Sequence, residues 1–405
     1  MLDFLTKHMR TDVRYLVKGG GVMIMGQIGI AIVAVCSSIA FANLLSKSDF
    51  GVYQYILATI EFFLVFTLTG TGRALIVSIA RGYDGSFLKA WVRSTIFGIL
   101  AAIMGVLVGL YYIINDNFIL GIGIGLGTPA MLLITNFKYY IPFLNGKKFF
   151  KLTSAFTFLN IFVTACGVIT TLFVTNNILI ILAVFLLINL TVNAILFQYS
   201  KRYIENSDID KTLMPRTLHL SAQGMIGHLT SQADRILLFQ FTGPVALAEY
   251  WLAQNVQRQF SHLFKGAKAV VLPKISTRSV TKLRATLMRK VLFLFAIIIP
   301  FTITYVLAIP LIFSLIFPAY TDAILFAQIF GILFLFLPFK VLGDVFIGHD
   351  MNNILYKITV LSSSLRLITT LALVPFFGIW GVVVSSTLDQ FVYTVIVIWY
   401  FYKLK

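Results

Sequence analysis

Two neighbouring stretches carry polar side chains at helical spacing inside an otherwise apolar sequence. In TLHLSAQGMIGHLTSQADRILLFQF, residues 217–241, Ser221, Gly224, His228, Ser231 and Arg235 recur at steps of three and four, with Gln223, Gly227, Thr230 and Asp234 beside them. Such spacing gathers them on one face of a helix and leaves Met225, Leu229, Ile236 and Leu237 on the other. After a short TGP break, Tyr250, Gln254, Arg258, Ser261 and Lys265 repeat the pattern. Lipid would leave these groups unsatisfied, so both faces must meet water, protein or a polar ligand. The chemistry on offer is the gripping of an anion. A guanidinium such as Arg258 forks onto two oxygens of a phosphate or an acidic sugar.

The cavity that these faces predict is lined by Arg258, Glu61, Gln254, His228, Asp234 and Arg235. Glu61 enters because the two halves of the chain align with it at the position of Arg258. An ion pair between the two is therefore the alternative to a ligand contact, and both hold if a ligand displaces the carboxylate. Asp234 and Arg235 point about 100° apart on a helix. Arg235 either reaches the ligand, snorkels towards the outer membrane surface or pairs locally, and Asp234 is a candidate proton or cation site or a structural group. His228 either titrates or serves as a neutral hydrogen-bonding group. Secondary candidates are Lys340, which is four residues before Asp344 and suited to an intrahelical pair, and Arg366 with Asp389, suited to a pair between helices. Nothing points to catalysis: there is no phosphate-cradling glycine loop, no metal-ligand spacing and no Ser/His/Asp set in a loop. The expectation is a protein that is not an enzyme and holds no metal or cofactor. A coupling proton or sodium ion, a substrate gradient or the membrane potential would drive any movement.

The elements that must position these residues are transmembrane helices. Of 405 residues, 59% are hydrophobic and 12% charged, with a mean hydropathy of +0.92, far from the composition of a soluble domain. The fold expected is all-α and polytopic, with spans at about 19–42, 52–78, 91–113, 118–143, 153–174, 178–199, 217–241, 246–272, 287–309, 320–347, 355–376 and 379–402. Residues 1–18 read as an interfacial helix, with Leu2, Leu5, Met9, Val13 and Leu16 on one side. Residues 19–199 form one six-helix bundle, 200–216 a hydrophilic cytoplasmic linker, and 217–405 a second six-helix bundle. Cys36 and Cys166 fall inside spans and are expected to be free thiols. Asn189-Leu-Thr191 matches a glycosylation acceptor by chance within an apolar segment. The glycines of GIGIGLG at 121–127 are read as a close-packing face.

The net charge of +17 suggests a nucleic-acid partner until the basic residues are located. Twenty-five of the 32 lie at the termini or in alternate loops on one side, and Lys47 alone lies on the other. That bias places both termini in the cytoplasm and leaves no role for nucleic acid. Arg81, Lys265, Lys268 and Arg278 fall at the cytoplasmic ends of spans and would draw an anionic headgroup to that mouth. At an offset of 197 residues Tyr53 aligns with Tyr250 and Arg81 with Arg278. The halves thus read as parallel repeats with a substrate site between them.

Four segments carry a family resemblance. Residues 43–82, NLLSKSDFGVYQYILA…ARG, and 234–275, DRILLFQFTGPVALAEYWLAQ…VLPKI, resemble the segments that open each half of the MATE-like MOP transporter superfamily. Ile312–Tyr320 and residues 373–388, LVPFFGIWGVVVSSTL, resemble its loop before span ten and its closing loop and helix. The best match is the polysaccharide flippase branch, Wzx-like translocases of O-antigen and other lipid-linked oligosaccharides. Gly51, Tyr53, Asp234, Tyr250 and Pro273 stand where that branch's motifs place them, and Glu249 departs from the commoner glycine. The resemblance implies that an undecaprenyl-pyrophosphate-linked oligosaccharide moves from the cytoplasmic to the outer leaflet of a bacterial plasma (inner) membrane. It implies alternating access, service to O-antigen, capsule or exopolysaccharide assembly, and partners among membrane lipids, a polysaccharide polymerase and chain-length machinery. The alternatives are a drug/cation antiporter of the same fold, whose cavity should be dominated by acids, and a flippase for another lipid-linked precursor. A membrane-embedded transferase would need titratable outer loops that this chain lacks.

Overall fold

The structure is a computed structural model that describes residues 13–276, 280–349 and 351–403, and every regular element among them is helical. The expected spans are all present. They run Val13–Leu44, Lys47–Ala80, Ser86–Ile114, Phe118–Gly146, Phe150–Val174, Ile178–Ser200, Leu213–Thr242, Pro244–Ser276, Val280–Ile316, Pro318–Gly348, Asn352–Phe377 and Ile379–Lys403, numbered one to twelve hereafter. Nine helices among the described residues are long and apolar enough to cross a membrane. Spans seven and eight are not among these nine, although they are 30 and 33 residues long. Their polar stripes lower the hydropathy, and parts of them are covered by protein, with Asp234, Arg235, Tyr250 and Gln254 all buried. Side chains such as Leu107, Leu307 and Phe376 are largely exposed on the other spans, as a lipid-facing surface requires.

Spans two, four and ten are interrupted, which the sequence reading missed. Span two stops at Phe63, passes through a 3-10 turn at Leu64–Phe66 and resumes at Thr71. The hydroxyls of Thr67 and Thr71 donate to Leu64 O and Leu68 O at 2.5 and 2.6 Å, so carbonyls freed by the break stay satisfied. Span four breaks between Phe137 and Tyr140, and span ten between Ile332 and Lys340 around Pro338. These two breaks are about 197 residues apart, matching the offset of the internal repeat. Span eight, the counterpart of span two, is continuous from Pro244 to Ser276.

Short connections end on capping groups. Asn117 accepts from Leu120 N at 3.2 Å, and Asn177 from Leu179 N and Ile180 N at 2.9 and 3.3 Å. Spans eleven and twelve meet at Gly378, whose φ of +54° suits glycine. The glycines of span four do allow close approach: a Cβ on Gly109 would stand 2.6 Å from Gly125 Cα. Cys36 and Cys166 are free and exposed. Asn189 is 4% exposed and donates within the helix to Phe185 O, which places it out of reach of glycosylation.

The chain divides into two compact units. One comprises residues up to Leu44 together with Phe63–Gly224, and the other Leu45–Phe62 with Met225–Lys405. The upper segment of span two is thus grouped with the spans of the second half, whereas the six-and-six reading had assigned it to the first. The linker also belongs to the first unit and is firmly docked there. Asp84, fully buried, accepts from Glu205 N at 2.9 Å and pairs with Lys147 at 2.6 Å. Asp210 accepts from Ser78, Thr212 and Arg216. Burial works against ionisation of Asp210, but the hydrogen bonds from Thr212 and Ser78, then the Arg216 charge, outweigh it and bring its carboxyl down to about 2. Burial likewise works against the Lys147 cation, yet its bonds to Asp84 and Glu205 prevail and raise it above the ordinary lysine value. Residues 1–12 of the expected interfacial helix lie outside the described residues, and Val13 already belongs to span one.

Candidate functional site

The polar faces of spans seven and eight belong to the second unit from Met225 onward, and there they assemble a charged cluster. Asp234, fully buried, is its hub. Its carboxylate accepts from Thr370 at 3.1 Å and Tyr250 at 3.3 Å, and it is in direct contact with the Arg366 guanidinium. Arg366 reaches Asp389 at 3.8 Å, while Gln254 donates to the Tyr250 hydroxyl at 2.7 Å. Spans seven, eight, eleven and twelve thus meet at one ion network. The buried carboxylate of Asp234 has a counter-charge in Arg366 and further donors in Thr370 and Tyr250, the condition under which burial is tolerable.

Glu61 is a correction. It accepts a 2.7 Å hydrogen bond from Gln232, and among the described residues it makes no ion pair with Arg258. Gln232 in turn faces Arg235 through its carbonyl oxygen at 3.5 Å. Of the alternatives for Arg235, local pairing is the one seen, through that contact with Gln232. It does not snorkel: it is 9% exposed, and its Nε has no hydrogen-bond partner among the described residues. Arg258 is exposed and makes no ion pair or hydrogen bond with the described residues, yet it lies within electrostatic reach of Arg235, Arg366 and Asp234. Arg366 is committed to two carboxylates. Arg235 and Arg258 are left as two cations that no carboxylate among the described residues contacts directly.

No contact with this cluster is seen for the remaining expected site residues that are described. His228 is exposed on span seven, and its backbone carbonyl accepts from the Ser231 hydroxyl at 2.8 Å. Lys340 and Asp344 lie one turn apart on the helix Lys340–Gly348. Arg81 is exposed at the end of span two. Arg278 lies outside the described residues, as do the side chains of Lys265 and Lys268 on span eight. Glu249, the departure from the family pattern, has a partner: Lys47 bonds Glu249 at 2.9 Å and Asp322 at 3.0 Å. Sequence reasoning missed Gln232 and Thr370. The spacing signal was present for Gln232, four residues after His228 and three before Arg235, but a glutamine carries no mark of its partner.

Comparison with known proteins places this arrangement. The family described as polysaccharide biosynthesis proteins matches residues 16–279, well over half of the chain. The chain belongs to that family. Among relatives of this polysaccharide biosynthesis protein, an uncharacterized membrane protein of Methanocaldococcus jannaschii is 25% identical, over 90% of this chain and 80% of its own length. The fold is that of the MOP transporters. It is similar to the lipid II flippase MurJ in an inward closed conformation, with a TM-score of 0.68, 14% identity and coverage of 93% of this chain and 86% of that one. It is also similar to an inward-facing multidrug resistance MATE transporter of the MOP superfamily, with a TM-score of 0.65, 14% identity and coverage of 92% and 93%. The family and the fold agree with the resemblance carried by the span-opening motifs.

Proposed function

We propose that this chain is a flippase that moves a lipid-linked oligosaccharide, carried on a pyrophosphate, across the membrane by alternating access. The observation that supports this reading most is the pair Arg235 and Arg258. A buried guanidinium with an orphaned Nε costs on the order of 1–3 kcal/mol, which a phosphate oxyanion would recover. Arg258 offers a second fork on the neighbouring helix. Membership of the polysaccharide biosynthesis family and the fold shared with a lipid II flippase point to the same cargo class. The acids of the cluster, Asp234 and Asp389, are spent on Arg366, which disfavours an antiporter that must present a free carboxylate to a cationic drug. The charge bias supports cytoplasmic termini, and we assign the protein to a bacterial plasma membrane. A coupling proton or sodium ion would have to compete with Arg366 for Asp234. The product would feed O-antigen, capsule or exopolysaccharide assembly, with the polymerase and chain-length machinery as downstream partners.

Reconstitution tests this directly. Proteoliposomes carrying a fluorescent undecaprenyl-pyrophosphate oligosaccharide should become fully quenchable from outside, and protein-free liposomes only half so. Ethidium transport driven by a proton or sodium gradient, with no effect on the labelled lipid, would replace this reading with the antiporter.

A further inference from the structure

The first unit has a charged cleft of its own, separate from the cluster around Asp234. It has a volume of about 150 Å³, and its lining includes Lys89 and Arg93 of span three, Asp210 and Lys211 of the linker, and Met214 and Thr217 of span seven. Lys89 and Arg93 are one helical turn apart and so lie on one face. Neither they nor Lys211 forms an ion pair with the described residues, because the acids nearby are engaged elsewhere. Lys147 takes Asp84 and Glu205, and Arg216 takes Asp210. Asp210 also receives Ser78 and Thr212, so its charge is masked from the cleft. Thr217 supplies an independent sign of a ligand. It is 2% exposed, lines the cleft, and its hydroxyl has no hydrogen-bond partner. It is one of thirteen buried side-chain N and O atoms left unpaired among the described residues and the one whose residue lines this cleft; a bound oxyanion would satisfy it.

We infer that this cleft binds the phosphate of a membrane lipid. The oxyanion would sit among Lys89, Arg93 and Lys211 and accept a hydrogen bond from Thr217. Leu68, Ala90 and Met214 supply the apolar part of the lining, and Leu88 and Val92 on the same span are exposed, as a site open to acyl chains would have them. Basic pockets between spans at the positively charged side of a membrane protein are the usual form of such sites. Two sources present this chemistry, the headgroup of an anionic phospholipid and a diphosphate such as that of the proposed cargo. The inference stands whichever cargo the protein moves.

The test uses the full chain. In one arm it is placed in nanodiscs of phosphatidylcholine with increasing phosphatidylglycerol, and in the other it is held in neutral detergent and titrated with inorganic pyrophosphate. Thermal unfolding reads the midpoint in both. Each basic residue contributes roughly fivefold, so Lys89→Gln with Arg93→Gln should shift the midpoint by about 25-fold. Thr217→Val, which removes a hydroxyl without changing shape, should weaken binding on its own and leave unfolding without ligand unchanged. Lys151→Gln, an exposed lysine elsewhere on the same side, should leave the midpoint in place. A response to phosphatidylglycerol alone assigns the site to a phospholipid headgroup, and a response to pyrophosphate as well assigns it to a diphosphate. The inference is overturned if neither ligand stabilises the protein. It is equally overturned if the double variant responds like the wild type, or if Lys151→Gln lowers the response as much as the double variant does.

Discussion

Removing the Arg366 side chain should be among the most damaging single changes in the second unit. Asp234 is fully buried, and without Arg366 its carboxylate would keep only the neutral donors Thr370 at 3.1 Å and Tyr250 at 3.3 Å. Asp389 would lose the same cation, held at 3.8 Å. Breaking a buried pair from one side costs about 3–5 kcal/mol, because an uncompensated charge is left behind. Arg366→Ala should therefore lower the thermal stability of detergent-solubilised protein sharply, and Asp234→Asn should do so less. The double change Arg366→Ala with Asp234→Asn should recover part of the loss, with a coupling energy of about 2 kcal/mol. Fluorescence-detected size-exclusion chromatography after heating, applied to all four proteins, measures this. Strict additivity, or an Arg366→Ala protein as stable as the wild type, would refute the idea that this network ties spans seven, eleven and twelve together.

Three further outcomes follow from the same geometry. A Cβ on Gly51 would stand 1.9 Å from the Pro244 carbonyl oxygen; Gly51→Ala should therefore force helix Lys47–Phe63 off the start of span eight and cut folded yield, whereas Gly227→Ala, with nothing within 4 Å of its Cβ, should not. Because Asp210 titrates near 2 in the folded protein, below its ordinary 3.8, its stabilisation is complete above about pH 4 and is lost as pH falls towards 2. Asp210→Asn should lower stability at pH 7 and flatten the acid dependence in that window, as scanned by tryptophan fluorescence. Reporter fusions after Glu205 and Lys403 should read as cytoplasmic, and fusions at Asp116 and Pro318 as external; one fusion on the wrong side means that the charge bias has been misread.

The number, order and approximate ends of the helices were legible because an apolar stretch of about 20 residues has one stable form in a bilayer. The polar stripes of spans seven and eight were legible for the same reason inverted: at helical spacing, groups that lipid would reject must share a covered face. What the sequence could not carry was the choice of partner. Asp234 pairs with an arginine 132 residues away, and Glu61 takes Gln232 where the repeat alignment offered Arg258. That alignment fixes height along a helix but not rotation about its axis, and a rotation of one residue moves a side chain by about 100°. The interruptions of spans two and four were equally hidden, since Leu64–Gly70 holds only two threonines and a glycine among apolar residues and Lys138 within Phe137–Tyr140 reads as an isolated charge inside a span. The basic cleft was missed because Lys89, Arg93 and Lys211 read individually as orientation signals, and only the docking of the linker brings them together.

The most direct test of the account is export by Arg258 variants, compared at equal protein abundance. Arg258 makes no ion pair with the described residues, so Arg258→Ala should leave folded protein near the wild-type level while abolishing translocation of the lipid-linked oligosaccharide. Arg258→Lys should be only partly active, because it keeps the charge but loses the fork. Full transport by Arg258→Ala, or loss of transport only in step with loss of folded protein, would contradict the claim that Arg235 and Arg258 hold the anionic cargo.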